Sequence, residues 1–451
     1  MLQCIIWRWR DPCFIWYGNT TVRIVQIIPG SGGTFYCQNC LRDLALVRTM
    51  RRQGHDVLVV PLYLPLTPDR AAIEPGPVFY GAVGLYLRHR FPRLRRLLPA
   101  SMWRALDARP VLRWAARRAD ATRAAPLADL TLSMLRGEEG RQAAELDQLV
   151  SWLRAEGGPR PDAIMLSNAL LLGMARRLKA GLGAPVVCWL QDEHAWIAGM
   201  PAVAADQVWQ VWRERAADVD SFVAVSRFYA DRMATLLGVP SARLRTIHIG
   251  VDPAAYSPAD PAAAPRAVGF LSRLAAAEGF DVFVNAFIAL HRDARFADVR
   301  LRATGGGMGN EAFLRRQKRA LRAARLTGLA EIAPDRFLND TPGFLQSLSL
   351  LSVPVPGGEA FGSYVIEAMA AGVPVVEPPV GAFPEIFAQA GCGLLSAGTD
   401  AGALARAWAD MLDQPARRAA ESAKGRAAVA RHFNLDRMAR ETAALCRELH
   451  A

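Results

Sequence analysis

The stretch GGEAFGSYVIEAMAAGVPVVEPP, residues Gly357–Pro379, sets two carboxylates, Glu359 and Glu367, around a glycine-bearing turn. An apolar run, LSLLSVPVP at 348–356, precedes it, and VPVV follows within it. That order reads as strand, turn, helix, strand. Gly357, Gly358 and Gly362 permit a tight turn and a close backbone approach by a ligand. Ser363 is the expected N-cap, with the helix running to about Ala371 and Gly372 as its stop. The N–H groups around Phe361–Tyr364 then carry the positive end of the helix dipole into a crevice, which suits phosphate. Either acid can take the hydroxyls of a sugar or a ribose, because both oxygens of a carboxylate accept hydrogen bonds.

The same alternation extends outward in both directions. VRIVQIIP at 22–29 reads as a buried parallel strand, GSGG at 30–33 as a loop, and the next residues as a helix before HDVLVVPLYLP. GSGG is not the dinucleotide fingerprint GxGxxG, and no acid closes the following strand, so NAD is not expected. Further strands end near Asn168, near Asp192, Glu193 and His194, and near Ser226 and Arg227, which gathers those side chains at one rim. The Pro/Ala-rich segment 253–266 is the expected linker, and a second α/β series starts at AVGFLSRL. A chain of 451 residues fits two such domains. The expected limits are an extension at 1–21, an N-terminal domain at 22–255 with a helical insertion at about 80–150, and a C-terminal domain at 256–435. A last helix at 436–451 is expected to cross back to the first domain.

Hydrophobic residues make up 52% and charged residues 21%, which excludes a disordered chain. The net charge of +12 comes almost wholly from arginine, since the only lysines are Lys179, Lys318 and Lys424. No zinc finger or RNA-recognition signature accompanies it, so nucleic acid is not an expected partner. The cysteines number seven (Cys4, Cys13, Cys37, Cys40, Cys188, Cys392, Cys446), without a secretory signal, which points to a reducing, cytoplasmic setting. Cys37 and Cys40 form a lone CxxC, read as packed cysteines in preference to a redox pair or half a zinc site. No HExxH or other metal constellation occurs, and no metal or cofactor is expected. The arginine-rich region 87–123 has two readings. One is an interfacial helix meeting anionic lipid at the inner face of a membrane; the other is an insertion packed on its own domain. Pro92, Pro99 and Pro110 cut it into short helices and favour the second. Glu138, Glu139 and Arg141 read as a solvated helix end before an acceptor contact.

The spacing E-x7-E with FG between the acids, EAMAAGVPVV after them and GAFPE at 381–385 resembles the retaining glycosyltransferases of family 4. PGSGG and VAVSRFYAD are supporting matches, and the resemblance runs over nearly the whole chain from Val22. It implies the GT-B fold, two Rossmann-like domains facing across a cleft. It also implies transfer of a sugar from a nucleoside diphosphate sugar to the hydroxyl of a glycan, lipid or small-molecule acceptor, with retention and without a bound metal. By that resemblance Glu367 holds the nucleotide ribose and Glu359 meets the donor sugar. The backbone at Phe361, Gly362 and Ser363 forms the donor turn, Gly32 and Gly33 lie near the diphosphate, and Arg273 neutralises the leaving group. Asp192, Glu193, His194 and Arg227 fall on the acceptor side.

The sequence departs from the family pattern at three positions. Glu278 stands where the donor site usually has lysine, Asn168 where a catalytic histidine is usual, and Ile249 where asparagine precedes GVD. A lysine-to-glutamate change moves local charge by two units beside an anion. Either another arginine such as Arg227 compensates, or catalysis is weak, or the donor differs. A catalytically idle nucleotide-sugar binder and a sugar-nucleotide epimerase are the competing readings.

Overall fold

The computed structural model describes residues 21–29, 38–63, 124–156, 158–258, 266–306, 310–334 and 340–450. Residues 1–20 of the expected extension at 1–21, Gly32, Gly33, Cys37 and the arginine-rich segment 87–123 lie outside them.

The first sheet is all parallel, in the order β2-β1-β3-β4-β5-β6. Its strands are β1 (Arg23–Ile28), β2 (Asp56–Pro61), β3 (Ala163–Leu166), β4 (Val186–Leu190), β5 (Ser221–Ala224) and β6 (Leu244–Thr246). β3 and β4 are buried at every residue, as expected of strands covered on both faces. Helix α1 (Gln38–Arg52) connects β1 to β2. α2 (Glu193–Ala198) follows β4, and α3 (Arg227–Leu237) follows β5. From the expected insertion, helices Ala124–Leu135 and Ala143–Ala155 are described; Leu146, Leu149, Val150 and Leu153 of the second are buried.

The second sheet is also parallel, in the order β10-β7-β8-β9. It comprises β7 (Ala267–Leu271), β8 (Arg300–Thr304), β9 (Ala330–Ile332) and the short β10 (Leu350–Leu351). A bridge from Leu351 to Val375 continues it toward the pair β11 (Val376–Glu377) and β12 (Leu394–Leu395). Helix α4 (Phe280–Leu290) follows β7, α5 (Ser363–Ala370) follows β10, and α6 (Phe383–Ala390) follows β11.

In each sheet the strand order reverses once, at β1/β3 and at β7/β10. Open parallel sheets bind ligands outside the strand C-termini at such a reversal. The loops there hold Ser167–Asn168 in the first domain, and Ser272–Arg273 and the Glu359 turn in the second. This is the GT-B arrangement of two Rossmann-like domains.

The chain crosses between the domains twice. After α7 (Pro415–His432), α8 (Leu435–His450) returns to the first domain and packs on α1 and β3. Gln53 Nε2 donates to the Asp436 carbonyl at 3.1 Å, and Arg245 pairs with Glu448 at 2.7 Å. The two crossings touch: Val251 N donates to the Phe433 carbonyl at 2.9 Å and Leu435 N to the Val251 carbonyl at 3.1 Å. Gly250 makes this approach feasible, since a Cβ there would lie 2.3 Å from the Asn434 carbonyl oxygen.

Candidate active site

Helix α5 begins at Ser363, but its N-cap is Gly362, at φ 83°, and no side chain caps it. Ser363 was the expected cap. It lies one residue inside, where its hydroxyl bonds Glu367 instead. Among the described residues no side chain caps the first amides of the helix, whose dipole lies at the strand reversal. The C-terminal end follows expectation: Val373 N reaches the Ala368 carbonyl at 2.8 Å, with Gly372 at φ 71°. The turn before the helix is held by a close contact between Gly358 and Gly381. A Cβ on Gly381 would stand 2.5 Å from Glu359 N, and its φ is 64°.

Phe361 anchors this turn from below, 2% exposed, with ring centroids 5.8 Å from His248 and 6.0 Å from Phe433. Its side chain therefore packs against these two rings. Glu359 accepts from Tyr364 Oη at 3.3 Å. Burial, followed by the charges of Asp192 and Glu278, raises its carboxyl to about 8, against the Tyr364 hydrogen bond and Arg273. Burial raises Glu367 to about 7, opposed by Ser363. Both acids favour the protonated form more than free carboxyls do, burial being the first cause in each.

Facing them, Arg273 is paired with Glu278, whose other oxygen accepts from Ser272 Oγ at 3.3 Å. Glu278 is 8% exposed, whereas the Arg273 side chain is 70% exposed. The lysine-to-glutamate departure thus does not leave a bare buried anion. It places a counter-ion on the arginine expected to meet the leaving diphosphate.

Across the cleft, Asp192 sits at φ 67°, a left-handed conformation rare outside glycine. Its carboxyl rises to about 7 through burial, then Glu193 and Glu278, with Arg273 and Arg232 opposing. Water tempers this, because its side chain is 46% exposed. Since the Asp192 charge raises Glu359, and Arg273 and Glu278 act on both, the two domains present one shared electrostatic site. His194 Nδ1 lies 3.3 Å from Tyr229 Oη and 3.5 Å from Asp192 Oδ1. Burial, then Arg232, lowers His194 to about 4, so the imidazole is neutral at physiological pH. With the Tyr229 hydroxyl donating to Glu193 at 3.0 Å, that oxygen can accept from His194.

Two family models match the chain: Glycosyltransferase Family 4 at residues 130–255 and Glycosyl transferases group 1 at 265–414. The chain belongs to the family 4 glycosyltransferases. It is 33% identical over 252 residues to the lipopolysaccharide core biosynthesis mannosyltransferase LpsB of Rhizobium meliloti, covering 51% of this chain and 66% of LpsB. It is 32% identical over 236 residues to a GDP-mannose-dependent phosphatidylinositol monomannoside mannosyltransferase of Mycolicibacterium smegmatis, covering 49% of this chain and 58% of that enzyme. These alignments span between about half and two thirds of the relatives' own length. Among solved structures, Anabaena HepE in complex with UDP and glucose superposes with a TM-score of 0.65 at 16% identity, covering 95% of this chain and all of HepE, a likeness of fold.

Within this family 4 chain, two expected site residues are held by hydrogen bonds of their own. Glu193, expected on the acceptor side, is 4% exposed and accepts from Ala169 N at 3.0 Å, Gln191 N at 2.7 Å and Tyr229 Oη. It braces the rim from beneath. Asn168, expected to be catalytic, caps the turn after β3 by accepting from Leu170 N at 3.0 Å. Arg227 keeps its guanidinium 68% exposed while its amide is bound by Glu385 from the other domain. Glu138 and Glu139 pair with Arg176, and Glu139 also pairs with Arg215 at 2.9 Å, so they act as an ion-paired helix end. Among the described residues no three His, Cys, Asp or Glu gather as a metal site.

Sequence reasoning missed His248, Tyr364, Glu385 and the buried group beneath the first-domain rim. In that group Arg42 bonds Asp43 and Gln191, its guanidinium 4.6 Å above the Trp189 ring, and Ser167 Oγ donates to Asp43. An Arg-Asp dipeptide inside a helix carries no signal for such a role, because its partners come from β3 and β4.

Proposed function

We propose that this protein is a retaining glycosyltransferase that moves a sugar from a nucleoside diphosphate sugar to an acceptor hydroxyl in glycolipid or polysaccharide synthesis. The uncapped N-terminus of α5 at the strand reversal, flanked by Glu359 and Glu367, carries the reading. The amides of Ser363 and Tyr364 would take the diphosphate, Glu367 the ribose and Glu359 the donor sugar. Charge growing on the leaving diphosphate would be stabilised by the helix end and Arg273, both fixed before reaction. Asp192 and the neutral His194 lie on the opposite wall, where the acceptor hydroxyl would enter. The two mannosyltransferase relatives support a lipid-linked acceptor, and the UDP complex of HepE supports a nucleotide-sugar donor.

The test is a panel of UDP- and GDP-sugars scored for nucleotide release. Release by the native protein that disappears in Glu359→Ala is expected; undiminished release in that variant refutes the assignment. A second reading, binding without transfer, draws on the Arg273–Glu278 pair, which gives the arginine a counter-ion of its own. Binding of a nucleotide sugar with no turnover against any acceptor would select it.

A further inference from the structure

Two hydrogen-bonding clusters cross the cleft beside the donor turn. Glu385, in the first turn of α6, accepts from Arg227 N with Oε1 and from Phe228 N with Oε2, each at 3.0 Å. These are the first two amides of α3, in the opposite domain, and the first amides of a helix have no intrahelical acceptor. Oε1 also lies 2.7 Å from His248 Nε2, whose ring packs against Phe361 of the donor turn and Phe433 at the second crossing. Beside it, Ser226 caps α3 by accepting from Tyr229 N at 3.0 Å and donates across the cleft to the Ala360 carbonyl at 2.6 Å. Ala360 adjoins Glu359.

The two cleft-facing helix ends thus differ. Among the described residues no side chain caps α5, while α3 is occupied by a carboxylate from the other domain. Such an anion holds its place through two backbone N–H bonds and the helix dipole. Moving the domains apart would strand the α3 amides and the Glu385 carboxylate together, so the contact favours one interdomain register.

We propose that Glu385 is a positioning residue: a clasp from α6 to α3 that fixes the closed register in which Glu359 faces the acceptor wall. The catalytic part of this rests on the transferase reading above; the closure does not. The donor elements Arg273, Glu359, Glu367 and the α5 tip all lie in the second domain. Breaking the clasp should therefore impair transfer far more than nucleotide binding.

The experiment compares the full chain with Glu385→Ala, Glu385→Gln and Ser226→Ala. Hydrogen exchange of peptides spanning 226–237 is measured alongside small-angle scattering, UDP and GDP affinity by calorimetry, and steady-state transfer. In Glu385→Ala the first amides of α3 should exchange at least tenfold faster and the radius of gyration should rise. Nucleotide Kd should stay within about twofold, and kcat/KM for the acceptor should fall at least tenfold. Glu385→Gln, which keeps one accepting oxygen, should fall between Ala and wild type. Unchanged exchange and scattering in Glu385→Ala overturn the clasp, as does a nucleotide Kd that worsens in step with transfer. If the wild-type chain binds neither nucleotide, the transferase reading fails, while exchange and scattering still decide the clasp.

Discussion

Replacing Glu278 by Gln should tighten nucleotide binding about fivefold. Glu278 is buried beside Arg273, and its negative charge raises the carboxyls of both Asp192 and Glu359, so it acts on the shared site between the domains. Two unit charges about 6 Å apart at an effective dielectric of about 20 interact by roughly 3 kcal/mol. Arg273 is 70% exposed, so solvent and salt reduce what a bound diphosphate would feel to about 1 kcal/mol. That is about fivefold in Kd. Gln keeps an accepting oxygen for Ser272 Oγ and nearly the same volume, so packing around α4 should survive. The assay is calorimetric titration of wild type and variant with UDP and GDP at low and high salt, with the melting temperature as a check on folding. The gain should shrink as salt rises. A folded variant that binds nucleotide no better than wild type refutes the placement of the diphosphate beside Arg273.

Other consequences follow from the same geometry. Glu359, raised to about 8, binds protons more readily in the folded chain than in the unfolded one. Its contribution to stability is therefore fully present below the ordinary carboxyl value of 4.5 and is lost as pH rises to about 8, so the melting temperature should drop between about pH 5 and about pH 8 and level off above, and Glu359→Gln should flatten that slope. Gly381→Ala forces a side chain against Glu359 N at positive φ, which should cost about 1–3 kcal/mol in denaturant titration and abolish nucleotide binding. Glu193→Ala removes the acceptor of three hydrogen bonds at the buried rim and should destabilise by roughly 2–3 kcal/mol, with a smaller effect on nucleotide affinity than on melting temperature.

The fold was legible because parallel strands covered on both faces leave unbroken apolar runs, as in VVCWL and AVGFL. The glycines between them mark where the backbone must turn at the sheet edge. The donor turn was legible for a related reason: its glycines, both acids and its helix all lie within one short segment. Even there the cap was misplaced by a residue. A serine before an apolar run suits an N-cap, but Gly358 and Gly381 set the path of the turn, and Gly362 takes the positive φ that ends it.

The acids at the rim show where such reading stops. Glu193 and Asp192 are adjacent in sequence and were both expected to face an acceptor. Asp192 adopts a left-handed backbone and stays exposed, while Glu193 turns under the rim to three donors, from Ala169, Gln191 and Tyr229. Only the packing of β3, β4 and α3 decides which of the two is wet. Glu385 is the stronger case. An acid in the first turn of a helix is ordinarily read as favouring its own dipole, and α6 alone would account for it. Its carboxylate instead reaches the amides of a helix 158 residues earlier in the chain. Glu278 differs again: five residues from Arg273, it meets that side chain because the segment between them folds into a turn that Gly279 ends at φ 75°. Each of these carboxylates is placed by a neighbour that local sequence does not name. A substitution that looks contrary to anion binding can therefore be neutralised on site, and an acid that looks decorative can hold two domains together.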